Sequence, residues 1–265
     1  MSKLVFLKLG GSLITDKNTP MTPRMDVIQR LTGEIAASRR DNPDLRLVIG
    51  HGSGSFGHVA AHKYATYQGS HTPEQWLGFA EVWRAARVLN QIVLESLSAT
   101  GLPVIAFPPS ANMITEGRKV TQCHFEPLQQ AISAGLIPVV NGDVVFDRRQ
   151  GSTILSTEDV FCSLAPLLHP ARILLAGLEA GVWADFPACT HLAPLIKRSN
   201  LAQVAPGLSG SAAVDVTGGM VQKVHSMLSL IDETPQLEVL IFSGSQPGLL
   251  QQALAGANTG TLLTA

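Results

Sequence analysis

Four short clusters carry the residues best suited to handling phosphate. The first is Lys8-Leu9-Gly10-Gly11-Ser12. Its paired glycines let backbone N–H groups come close to an anionic oxygen, and a lysine stands just before them. By itself it reads equally as a turn that ends a strand. The second is Gly50-His51-Gly52-Ser53-Gly54-Ser55-Phe56-Gly57-His58, with four glycines in eight positions, more than a turn requires. Such a loop suits a nest of N–H donors for phosphate. It lacks the GK[ST] ending of a Walker loop. The string Gly52 to Gly57 fits GxGxxG, but the acidic residue a dinucleotide site needs at the end of a second strand is missing, because Glu74 opens a helix.

The third cluster is Asn141-Gly142-Asp143, directly after an apolar run. It places a carboxylate where open α/β sheets bind ligands. Asp143 there suits holding lysines or approaching a metal-nucleotide, and NGD is also a common turn. The fourth runs from Asp215 to Lys223. Gly218 and Gly219 open a helix, and Lys223 lies one turn along, which makes an anion site with a cation beside it. The plainer reading is Thr217 as an N-cap and Lys223 in solvent.

These clusters need a frame that brings them together. Apolar runs predict strands at Leu4–Leu9, Leu45–Gly50, Pro103–Phe107, Ile137–Val140, Arg172–Ala176, Glu238–Phe242 and Thr261–Thr264. Several lack polar alternation, as strands covered on both faces do. Val144–Asp147 and Thr153–Leu155 read as a hairpin. Helical patterns cover roughly Pro23–Arg39, Pro73–Thr100, Glu126–Ala134, Glu158–Leu168, Met220–Ile231 and Gly248–Ala255. Alternating strand and helix predicts a doubly wound α/β fold. The Pro- and Ala-rich stretch Phe186–Leu208 suits a join between two lobes, with a division near Leu175.

Taken together, the clusters resemble the amino acid kinase superfamily, and within it the isopentenyl phosphate kinases. Gly-Ser-Gly-Ser-Phe-Gly-His-Val, residues 52–59, is similar to that family's glycine loop, Ser53 excepted. Lys8 to Lys17 is similar to its opening segment. The resemblance runs in order along the whole chain to Gly260-Thr261. It implies an open αβα sandwich on a central, mainly parallel eight-stranded sheet, formed by a single domain over residues 1–265. The N-terminal lobe, about 1–175, would bind the phosphoryl acceptor and the C-terminal lobe, about 176–265, ATP.

By the same resemblance, Lys8, Gly10, Gly11, Ser12 and Gly54 contact the ATP phosphates, with Asp215, Gly218, Gly219 and Lys223 also serving ATP. Ser53 and Gly54 lie between acceptor and nucleotide phosphates, and His58 binds the acceptor's phosphate. Lys17 stabilises the transferring group, Gly142 lies against the acceptor phosphate, and Asp143 orients the lysines. The implied reaction converts isopentenyl phosphate and Mg-ATP to isopentenyl diphosphate and ADP, with dimethylallyl phosphate as a second acceptor. An acceptor phosphate is already an anionic nucleophile, so no general base is needed, only positioning and charge neutralisation. No side chain stands out as a metal ligand, and Mg²⁺ is expected to arrive with ATP. The family also implies a homodimer.

The acceptor's apolar tail needs an apolar pocket. Phe79 and Trp83, four apart on one helix, share a face suited to it, and core packing is the competing role. Three departures stand out. Ser53 replaces a glycine and needs an allowed φ. Ser156-Thr157-Glu158-Asp159 replaces Ser-Gly-Asp-Asp. Leu178 to Trp183 replaces an Asp-x-Asp-Gly-Val-Tyr segment. Two other functions compete: a kinase of another small anion, such as a fosfomycin-type phosphonate, and a nucleotide-binding regulator without turnover.

Composition narrows the field further. A formal net charge of −1 over 265 residues argues against nucleic acid or a charged membrane surface as partner. Cys123, Cys162 and Cys189 have no CxxC spacing and read as free thiols of a reducing, cytoplasmic compartment. No apolar run reaches transmembrane length.

Overall fold

The computed structural model describes residues 3–208 and 219–265, apart from the side chains of residues 58–60 and 205–208. The chain begins with β1 (Leu4–Leu9), the short α1 (Gly11–Ile14), α2 (Met25–Asp41), β2 (Arg46–His51), α3 (Gly54–Lys63) and α4 (Pro73–Ser98). It continues with β3 (Val104–Ala106), α5 (Pro109–Asn112), β4 (Met113–Glu116), β5 (Lys119–Cys123), α6 (Glu126–Ser133), β6 (Ile137–Asn141), β7 (Asp143–Asp147) and β8 (Gly151–Leu155). The remainder holds α7 (Thr157–Leu168), β9 (Arg172–Gly177), β10 (Leu195–Ile196), α8 (Leu201–Leu208), α9 (Gly219–Glu233), β11 (Glu238–Ser243), α10 (Leu249–Leu254) and β12 (Thr261–Leu263).

Eight strands form one sheet in the order β10-β12-β11-β9-β1-β2-β6-β3. All neighbours are parallel except β11 and β12. Alternation along the strands divides the core in two. Phe6, Val48, Ile173, Leu175, Val239 and Ile241 point to the face covered by α6, α7 and α9. Leu7, Leu47, Ile49, Leu174, Leu240 and Phe242 point to the face covered by α2, α4 and α10. Helices on both faces of a parallel sheet make the αβα sandwich the sequence implies.

This topology also places the site. From β1 the chain crosses to β2 on one side, and later to β9 on the other. The strand ends at Leu9, His51 and Asn141 therefore share one edge, beside the switch in strand order where such sheets bind ligands.

Two features depart from the sequence reading, and a third adds to it. Residues 54–58, read as part of a loop, open the helix α3. The hairpin β7–β8 does not join the central sheet. It pairs with a second hairpin, β4–β5, in a separate four-stranded sheet of order β5-β4-β7-β8. The stretch Phe186–Leu208 contributes the edge strand β10 and the helix α8, and the division drawn near Leu175 falls inside β9, which pairs on both sides.

Candidate active site

The two glycine turns are packed against each other. A methyl group on Gly11 would lie 2.5 Å from the Gly54 nitrogen, and one on Gly52 would lie 2.8 Å from the Gly11 nitrogen. Gly54 has φ +51°, and a methyl there would strike the Thr15 hydroxyl. Thr15, fully buried, ties the two turns together. Its Oγ1 donates to Gly11 O at 2.7 Å and accepts from Ser55 N–H at 3.0 Å. Gly10 N–H donates to Ala176 O at 2.8 Å, joining the first turn to β9. These glycines serve loop-on-loop contact as much as approach to a ligand. Ser53 is not among the residues with positive φ, so the serine replaces glycine there without backbone strain.

The charged part of the site follows from register. Phe6 and Lys8, two apart on β1, point to the same face. Phe161 and Glu158, three apart on α7, meet them there. The Phe6 and Phe161 rings lie 5.0 Å apart, and Lys8 Nζ lies 2.5 Å from Glu158 Oε1. Lys223 Nζ, one turn into α9, lies 3.8 Å from the same oxygen. Burial would raise the Glu158 carboxyl, but the two ammonium groups and the Lys8 hydrogen bond outweigh it and hold the pKa below its ordinary value. Asp159, the next residue, does a different job: it closes a capping box with Ser156 at the start of α7.

The carboxylate between the lysines is therefore Glu158, whereas the sequence reading expects Asp143 to orient them. The Asp143 carboxylate makes no ion pair with a lysine among the described residues. It accepts from Ser110 N–H at 3.3 Å and from Val144 N–H at 2.9 Å. Burial pushes its pKa up to about 6, against the lowering effect of those bonds. The chain Lys8, Glu158, Lys223 depends on pairing between elements 150 residues apart, which no local motif reveals. The one available signal is the placement of Glu158 just past the capping Ser156, at the strand-end edge of the sheet.

Trp83 is linked to Asp143 through Ser110, and three further rings stand together on α4 and β7. Trp83 Nε1–H donates to Ser110 Oγ at 3.2 Å. Phe79 stacks on Phe146 with ring centroids 5.0 Å apart, and Trp76 tilts against Phe79 at 5.6 Å and Phe146 at 6.0 Å. Phe79 and Trp83 are half-buried, and neither belongs to the two core clusters.

Of the other residues singled out, Gly142 N–H donates to His51 O at 3.1 Å, which fixes the third cluster beside the second. Ser12 lies in α1, and Gly219 opens α9 with φ +67°. Lys17 is exposed in the turn after α1 and is not drawn into the lysine–glutamate cluster. The His58 side chain, Asp215 and Gly218 lie outside what is described. Among the described residues, no three His, Cys, Asp or Glu side chains gather into a metal site, and no helix is long and apolar enough to cross a membrane.

The chain is similar to known proteins along its length. Residues 3–243 match the amino acid kinase family. Isopentenyl phosphate kinase of Methanocaldococcus jannaschii is 30% identical over 264 residues, covering 97% of each chain. The enzyme of the same name from Methanothermobacter thermautotrophicus is 30% identical, over 98% of this chain and 99% of its own. A crystal structure of isopentenyl phosphate kinase superposes with a TM-score of 0.83 at 28% identity, covering 98% of this chain and 100% of that one.

Proposed function

For a chain that belongs to the amino acid kinase family and resembles its isopentenyl phosphate kinases along its full length, we propose transfer of the ATP γ-phosphoryl group to isopentenyl phosphate. The observation that carries the reading is Glu158 between Lys8 and Lys223 at the edge where the glycine turns meet. Phosphoryl transfer between two polyanions needs fixed positive charge and oriented N–H donors more than it needs a base. Glu158 keeps two ammonium groups in place without neutralising both. The glycine turns supply the donors.

Lys8, Gly10, Gly11, Ser12, Gly54, Gly219 and Lys223 serve ATP in this reading, with Asp215 and Gly218. Ser53, Gly142 and His58 take the acceptor phosphate, and Lys17 closes over the transferring group. The N-terminal part to about 175 holds the acceptor and the remainder holds ATP. Bound Mg²⁺ would be held by the nucleotide's phosphates and would supply charge neutralisation there. The donor set fits a metal carried by phosphate, because the one carboxylate among the lysines is already engaged. Phe79 and Trp83 border the tail pocket, which also admits dimethylallyl phosphate. A cytoplasmic homodimer is the state in which we expect the enzyme to work.

The relatives described above favour isopentenyl phosphate, and no observation favours the phosphonate or the regulator reading. The test is ADP release with Mg-ATP and, in turn, isopentenyl phosphate, dimethylallyl phosphate and fosfomycin, with product masses measured. Isopentenyl diphosphate formed at kcat/KM of about 10⁴ M⁻¹s⁻¹ or more is expected. Turnover of fosfomycin alone, or of none of the three, would overturn the assignment.

A further inference from the structure

His51 is the one histidine with a described side chain that is fully buried, and nothing in the proposed chemistry uses it. It ends β2 where the glycine loop begins. Its backbone oxygen accepts from Gly142 N–H at 3.1 Å and from Thr157 Oγ1 at 2.7 Å, next to Glu158. Its ring is held at both nitrogens. Nδ1 lies 3.1 Å from Gly52 O, and Nε2 lies 2.9 Å from Asn90 Oδ1 on α4, so both partners as placed are acceptors.

The partners decide where the proton sits. Burial above all, with the nearby Lys8 charge, pushes the imidazole below its ordinary pKa, so the ring is neutral at pH 7 and carries one N–H. Gly52 O accepts only. A bare Nδ1 would set a lone pair against that oxygen. A neutral ring cannot donate to both, and of the two partners only the Asn90 amide can turn, exchanging its oxygen for its NH₂. The arrangement without conflict has Nδ1–H donating to Gly52 O and Asn90 N–H donating to Nε2.

This matters because Gly52 C=O belongs to the same planar peptide as Ser53 N–H. In a trans peptide the two point in opposite directions. Gly52 N–H is itself fixed on Leu9 O at 3.0 Å. Ser53 N–H has no acceptor among the described residues. We propose that His51, protonated at Nδ1 alone, is a positioning residue: it clamps the Gly52–Ser53 peptide and so presents Ser53 N–H to a phosphate oxygen. The inference rests on the phosphoryl-transfer reading of the glycine loop.

Two measurements test it. Long-range ¹H–¹⁵N NMR on the free wild-type protein reads the tautomer directly and needs no substrate. A protonated Nδ1 and a bare Nε2 at pH 7 are expected, and a protonated Nε2 overturns the proposal. The second compares His51→Asn, whose amide can reach the Nδ1 position, with His51→Gln, whose amide sits nearer Nε2. His51→Asn should keep kcat within about 3-fold, while His51→Gln loses on the order of 10- to 100-fold, less than outright removal of an oxyanion donor. KM for the acceptor and the melting temperatures of the two variants should stay close to each other. Equal kcat losses that track melting temperature would make His51 merely structural and overturn the proposal. If neither variant folds, the wild-type spectrum still decides. A wild type that fails to turn over isopentenyl phosphate sinks the proposed function, not the tautomer, which is read separately.

Discussion

The lysine–glutamate cluster and the aromatic group on α4 and β7 are built on opposite principles. On the β1 side, Lys8, Glu158 and Lys223 are charges held against each other in a largely enclosed place. On the α4 side, Trp76, Phe79 and Phe146 are aromatic rings that hold one another, with Trp76 37% and Phe146 48% exposed. The first side has one workable arrangement, because a buried charge without its partner is costly. The second owes its shape to stacking, which tolerates a change of size. In the proposed reading, rigidity is thus concentrated where two polyanions are aligned, and latitude where an apolar tail is accommodated.

The difference is tested most severely at Glu158. Glu158→Gln removes the anion between two lysines. We expect kcat/KM for Mg-ATP to fall about 100-fold, comparable to loss of a preorganised electrostatic group. The same variant changes acid stability. The folded-state pKa of Glu158 lies below its unfolded value. Its contribution is therefore present above the unfolded pKa and lost as pH falls through the folded one. Acid melting curves should flatten in the variant. Unchanged turnover would show that the lysines hold their places without it.

Phe79→Ala probes the other side. Loss of two ring contacts on a half-buried residue should cost about 1–2 kcal/mol of stability. Acceptors with longer tails should gain relative to isopentenyl phosphate. Lower stability with unchanged chain-length preference would assign Phe79 to packing alone.

The smallest effect is expected at the seam, where Trp83, Ser110 and Asp143 join the two sides. The folded-state pKa of Asp143 is raised to about 6. Stability from its protonated form is complete below the unfolded pKa and lost as pH rises through about 6. Wild type should lose melting temperature between about pH 4 and 6 by roughly a few degrees more than Asp143→Asn, and level off above that. Parallel curves would mean that Asp143 is not strained by burial.

Much of this was legible in the sequence, for reasons that can be located. β1 was read over its full span because Leu4 to Leu9 is apolar and ends in a glycine pair. The central strands stood out for the same reason. α3 did not, because Gly54 and Gly57 weaken the helical signal and the helix enters at a positive φ. The β4–β5 hairpin was missed because its turn uses Gly117 and Arg118, both at positive φ, without the Asn-Gly pair that usually marks one. Asp147 supports that turn by accepting from both amides. The pairing of Glu158 with Lys8 was not legible, because it depends on how β1 packs against α7, which exists only in the folded chain.

The tryptophans have a practical consequence. Trp76 and Trp83 stand on α4 at the aromatic side, while Trp183, past β9, donates to Glu179 at 2.8 Å. The chain contains three tryptophans in all. Replacing Trp183 by phenylalanine leaves emission from the α4 side alone, and replacing the other two leaves emission from beyond β9. The protein thus carries two native fluorophore groups, one for each region, through which changes in the two regions can be followed by light without attaching a dye.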